Sequence, residues 1–236
     1  MSSLNLPTYY QSLNDNAAAI LGALAKDQES LARQIASHNF LADFPALVSA
    51  IRSRPESNML SLAEKEYQYA LYAIATGSYR HAFASLRLAM ELALSSILFS
   101  AHEIRYHQWS AGDADINWNS IVEDEGIFSK NFIKAFFPDL ADQGTQYRAI
   151  AKAAYRECSQ YVHGNMKTHS DVGLEVRFRK EVFMAWHDLA ETFHLCLVFA
   201  FAARFALGLD KSQLSDIRHI LTENIGQLTG IQSLNT

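Results

Sequence analysis

The chain has 236 residues and a formal net charge of −5, with 49% hydrophobic and 19% charged residues. That length can bury one good core, as a single large domain or as a domain with an extension, and the acidic balance argues against tight non-specific binding to nucleic acid. Only 4 prolines and 10 glycines interrupt an alanine- and leucine-rich sequence, so long helices, and an all-α fold, are expected.

In chain order, Asn14 to about His38 reads as an alanine-rich amphipathic helix, and Phe40 to Ile51 as a shorter helix interrupted near Pro45. Ser53-Arg54-Pro55-Glu56-Ser57-Asn58 is the clearest linker and sets residues 1–52 apart as an N-terminal helical extension. Leu60 to Thr76 should end at Gly77, and Ser78 is placed to cap a long helix from Tyr79 to about Glu103. Tyr106 to Trp118 reads as a loop, and Asn119 to Phe137 as one or two short helices closed by Pro138. Ala141 to His163 is a helix stopped by Gly164 and Asn165, followed by a loop over Met166 to Gly173. A long apolar helix from about Leu174 to Leu207 and a terminal helix from Lys211 to Leu228 complete a bundle over 59–209 and a C-terminal helix and tail over 210–236.

The apolar run Leu195 to Leu209 is bracketed by His194 and broken by Arg204. A membrane span needs about 20 residues with few charges, so a buried core helix is expected and no membrane partner. Cys158 and Cys196 have no paired spacing, and the N-terminus lacks the basic-then-apolar layout of a secretory signal. A reducing cytoplasm is the expected compartment.

Arg156 and His163 are the candidate chemical pair; the plain alternatives are a helix C-terminal histidine interacting with the dipole and an arginine paired with an acidic neighbour. Seven residues at about 100° each return the second side chain to within roughly 20° of the first, about 10 Å further along the axis. The pair therefore shares one face near the end of its helix. An imidazole that exchanges protons near neutral pH, beside a fixed guanidinium charge, is a minimal kit for cleaving an RNA phosphodiester. In the preceding hairpin, Arg87 and Glu91 stand at i, i+4 and can pair, either as a surface salt bridge of little value or facing the same polar cleft.

Other constellations are weaker. His102 and His107 flank Glu103 in a run resembling a zinc-protease motif, but five residues separate the histidines by about 140° on a helix, so one metal cannot take both. Glu191 and His194 have the E-x-x-H spacing of di-iron bundles, with His187 on a similar face, yet no second such motif exists. A buried polar patch is the expected reading there. No glycine-rich phosphate loop or nucleophile elbow is present, and no cofactor or metal is expected.

Two pieces of sequence, taken together, resemble a known family. They are G-x-Y-x-x-A followed by L-R-x-x-x-E (Gly77, Tyr79, Ala82, Leu86, Arg87, Glu91), and R-x-x-x-x-x-x-H-G (Arg156, His163, Gly164). The chain resembles the HEPN domains, which occur in RNA-cleaving toxins and antiviral defence proteins; the resemblance spans roughly Leu60 to Leu207. It implies a HEPN-like helical bundle carrying additional N-terminal and C-terminal helices. It also implies metal-independent cleavage of RNA by its own 2′-hydroxyl, with His163 as general acid or base and Arg156 stabilising the charge on phosphorus. Arg87, Glu91, Ser159, Tyr161 and Asn165 would support the site, and Lys152, Lys167 and Arg177 would contact RNA. One chain offers one motif histidine where acid and base roles need two groups, so the implied partner besides RNA is a second copy in a homodimer. A neutralising or sensor protein is a further implied partner. The residue after the arginine is Glu157, where active relatives often carry an uncharged polar residue; a carboxylate there either neutralises Arg156 or turns away around the helix.

Local charge suits a phosphate-binding surface and equally a solvated helix face. From Thr145 to Lys180 seven positive residues (Arg148, Lys152, Arg156, Lys167, Arg177, Arg179, Lys180) stand against three negative ones (Glu157, Asp171, Glu175). A catalytically inactive HEPN-like module that binds a nucleotide, RNA or partner protein, and a plain helical adaptor, are the alternatives, since one bundle can host each.

Overall fold

The computed structural model describes residues 5–163, 165–172 and 177–234. Among these all regular structure is helical, and no strand occurs. The expected all-α class is therefore correct.

The first two helices are α1 (Leu6–Lys26) and α2 (Gln28–Ala50), divided at Asp27, whose backbone is extended at φ −95°, ψ 102°. The expected division near His38, with an interruption near Pro45, is wrong on both counts. Pro45 lies inside α2. A proline there removes one helical hydrogen bond, but Phe40, Phe44 and Leu47 on either side of it are fully packed in the core, and burying each such side chain is worth roughly 1.5–3 kcal/mol. At Asp27 no glycine or proline marks the break. It is held instead by Lys180, whose ammonium lies 2.7 Å from Asp27 and 2.8 Å from Glu29.

The turn at 51–56 is anchored rather than loose: Arg54 pairs with the buried Glu56 and donates to Ser100 O at 2.9 Å. Then α3 (Ser57–Ala75) and α4 (Tyr79–Phe99) form a tight hairpin. On α3 the buried residues Leu60, Ala63, Tyr67, Ala70, Leu71 and Ile74 follow helical spacing. Gly77 closes α3 at φ +78°. Its N–H reaches Ile74 O, and the Ser78 N–H reaches Ala73 O at 2.8 Å, the paired bonds of a glycine helix stop. Ile20 of α1 lies so close beneath Gly77 that a Cβ there would meet its Cδ1. Ser78 stands at the N-cap position of α4 but its side chain makes no capping bond.

Past α4 come α5 (Glu103–Ser110), α6 (Trp118–Val122) and α7 (Lys130–Phe136), then a 3-10 turn at Pro138–Leu140. The expected loop from Tyr106 is thus partly helical. The long helix α8 (Gly144–Val162) packs on α4 and on α10 (Lys180–Phe205). Between them α9 (Met166–Val172) replaces the expected loop, while the expected start of the last long helix at Leu174 lies outside the described residues. α11 (Lys211–Ile225), opened by a reciprocal Asp210–Gln213 cap, and α12 (Thr229–Ser233) end the fold.

α4 and α10 are long and apolar enough to cross a membrane, but their most apolar windows are 72% and 67% buried inside the bundle. They are its central helices, and α10 is buried on every side from Cys196 to Ala203, as a core helix must be. One continuous apolar cluster includes Phe40, Phe44 and Leu47 of α2 with α3, α4, α8, α10 and α11. α2 therefore packs as part of the bundle core.

Candidate functional site

The faces of α8 separate cleanly. Tyr147, Ala151, Ala154, Cys158 and Tyr161, spaced by three and four, are buried, which turns Lys152, Arg156 and His163 outward, all exposed, with Ser159 partly covered between them. His163 is the C-cap residue, and its N–H bonds Ser159 O at 3.1 Å. The negative end of the helix dipole lies there. Arg156 makes no hydrogen bond or ion pair among the described residues. Glu157 is turned away from it: its carboxylate accepts from Gln160 Nε2 at 2.8 Å. Gly164 lies outside the described residues.

Arg87 and Glu91 are joined across the α4–α8 contact by Tyr155, the residue before Arg156. Arg87 Nη2 donates to Glu91 Oε1 at 3.1 Å and to the Tyr155 hydroxyl, and that hydroxyl donates to Glu91 Oε1 at 2.6 Å. The guanidinium also lies over the Tyr155 ring, 4.8 Å from its centre. Side-chain exposures of 25% and 15% make this a largely covered pair, so it is no surface salt bridge, and its desolvated bonds are stronger than exposed ones. The other face of Tyr155 is covered by Trp118, stacked at 3.8 Å. Burial, together with donation to Glu91, pushes the Tyr155 hydroxyl up to about 12. It stays a neutral donor at physiological pH. Burial likewise pushes the Cys158 thiol up to about 12 and raises that of Cys196, so neither is a nucleophile.

The remaining expected residues are distributed around this end of the bundle. Ser159 donates back to Tyr155 O at 2.8 Å. Tyr161 is buried and stacked on Phe83 at 3.7 Å, so its ring packs α8 against α4 instead of lining the outer face. Asn165 opens α9, its carbonyl accepting from Thr168 Oγ1 and the His169 N–H. Arg177 is exposed, and its carbonyl accepts from the Tyr79 hydroxyl at 3.2 Å. The same hydroxyl receives the Arg179 N–H at 2.6 Å, so the tyrosine of G-x-Y ties the entry of α10 to α4. The side chain of Lys167 lies outside the described residues.

Three contributors were not expected from sequence: Tyr155, Trp118 and Arg80. Arg80 donates to Tyr161 O at 2.6 Å and lies 3.3 Å from His169 Nδ1, closing the C-terminal end of α8. An arginine in the first turn of α4 opposes the helix dipole, and that was the available signal that it serves a neighbouring element. Among the described residues no group of three histidine, cysteine, aspartate or glutamate side chains is placed to share a metal ion. Comparison of the chain with models of protein families, with curated proteins and with solved structures finds no match.

Proposed function

We propose that the chain is an endoribonuclease of the HEPN type, a toxin or antiphage-defence effector, which cleaves RNA without metal at a site shared between two copies. The observation that carries this reading is the placement of Arg156 and His163 on one exposed face at the end of α8, with Glu157 engaged elsewhere. In the reaction His163 takes the proton of the 2′-hydroxyl, and that oxygen attacks the adjacent phosphorus. Arg156 neutralises the charge that accumulates on the equatorial oxygens. The phosphorus–5′-oxygen bond breaks, and the histidine of the second copy gives the leaving oxygen its proton. The products are a 2′,3′-cyclic phosphate and a free 5′-hydroxyl. Arg87, Glu91 and Tyr155 hold α8 in register against α4, and so orient the residue that follows Tyr155.

The test is cleavage of labelled cellular RNA in the presence of a chelator by wild type and His163→Ala, both verified as folded by circular dichroism. Loss of a general acid–base should lower the rate by about 10²–10⁴-fold, with cyclic-phosphate ends on the wild-type products. Equal cleavage by both proteins, or none by either over a broad panel of RNAs, would overturn the proposal.

A further inference from the structure

The N-terminal half of α1 stands free of the bundle. Every residue from Asn5 to Asn16 is exposed, and the buried side chains of α1 are Ile20 and Leu24, near its other end. Ile20 lies against Gly77 at the turn between α3 and α4. Two residues on, Tyr79 holds the entry of α10, and Arg80 donates to Tyr161 O near the end of α8. The arm therefore leaves the bundle from the end at which His163 stands.

The sequence of the arm is not that of a solvated helix. Leu6, Tyr10, Leu13, Ala17, Ile20 and Leu24 follow one another in alternating steps of four and three, the repeat of a helix that packs lengthwise on another helix. Tyr9 and Leu21 flank this line, so the apolar face is about 120° wide. The last two members of the line are covered by the chain's own core. The rest of the face is bare, with Leu6, Tyr9, Tyr10, Leu13 and Leu21 37–61% exposed. A helical stretch of about 12 residues is marginal in water without tertiary support, so this one calls for a partner along that face.

Charge narrows the choice of partner. Residues 5–25 contain no lysine, arginine or histidine, and Asp15, their one acid, accepts from Gln11 Nε2 at 2.9 Å. An arm without cations has no attraction for RNA or for an anionic membrane surface, and two copies of it carry almost no charge with which to repel each other. A tyrosine offers about 150–250 Å² when covered, so the bare face of one arm is on the order of 500 Å². Two arms face to face bury about 1,000 Å², the least that a specific interface needs.

We propose that α1 is a dimerisation arm whose apolar face packs on the α1 of a second copy of this chain. The contact is isologous, each arm offering the same residues to the other. It rests on α1 and not on the ribonuclease reading, although it gives the shared site of that reading a contact between copies.

An interface of this size is of moderate strength, so sedimentation equilibrium of the full-length chain over about 1–100 μM should show wild type approaching the mass of a dimer. Tyr10→Ala combined with Leu13→Ala strips the face while favouring the helix, and should raise the dissociation constant about tenfold or more. Thr8→Ala combined with Gln11→Ala, on the opposite face of the same turns, should leave it unchanged. All four positions are exposed, so the bundle core is untouched in both variants. A wild-type chain that stays monomeric, a stripped face that pairs as well as wild type, or an opposite-face variant that weakens association equally would overturn the proposal.

Discussion

His187 shows how one buried side chain makes stability depend on pH. Between about 3, where its imidazole titrates in the fold, and the ordinary 6.5, the unfolded chain takes up a proton that the folded chain refuses. Stability is kept in full above that window and falls as pH is lowered through it. At pH 5 the loss from this group is about 2 kcal/mol. Urea unfolding at pH 7 and pH 5 should show that loss in wild type and a flatter response in His187→Leu, after the contributions common to both proteins cancel. The same residue marks the reach of sequence reasoning. Its neighbours at 191 and 194 were visible as a helical constellation, and the expected buried polar patch holds for His187 alone, since Glu191 is exposed and His194 only partly covered. The serine that completes it, Ser37, lies 150 positions away, beyond anything that spacing along one helix can reveal. Arg87 and Glu91 repeat the lesson: their i, i+4 pairing was legible, but the Tyr155 hydroxyl between them comes from another helix.

At the scale of elements, glycine was a reliable signal and proline was not. Gly77 ends α3 because only a residue without a side chain takes φ +78° at little cost. Gly77→Ala should destabilise the chain by about 1–2 kcal/mol from backbone strain alone, and more if Ile20 cannot move aside; the shift in urea midpoint measures it. Pro45 misled because the packing of Phe44 and Leu47 outweighs one lost hydrogen bond. Asp27 was invisible because its break is imposed by Lys180, from a helix far along the chain. The short helices α5 and α9, of 8 and 7 residues, were read as loops for a different reason. α5 buries only Tyr106, so no apolar periodicity announces it, and a helix that short is marginal without tertiary support.

For the whole molecule, the two-copy site makes a direct demand on assembly. Light scattering on the purified chain at micromolar concentration should return a dimer, and a strict monomer would remove the acid–base pairing from the proposed reaction. The apolar cores of α4 and α10 were legible from their composition, as was the amphipathic α8 whose outer face carries Lys152, Arg156 and His163. How α2 joins that core was not legible, because the linker at 53–58 looked like a boundary while Arg54 and Glu56 in fact fasten the turn to the end of α4. Finally, burial of Cys158 and Cys196 makes the native chain a ready background for site-directed labelling. The thiolate is the nucleophile that attacks a thiol-labelling reagent, and neither native sulfur offers one at neutral pH, so a Lys152→Cys variant would take up a nitroxide at one place only. The spin–spin distance between two such labels would then report directly whether the α8 faces of paired copies look at each other.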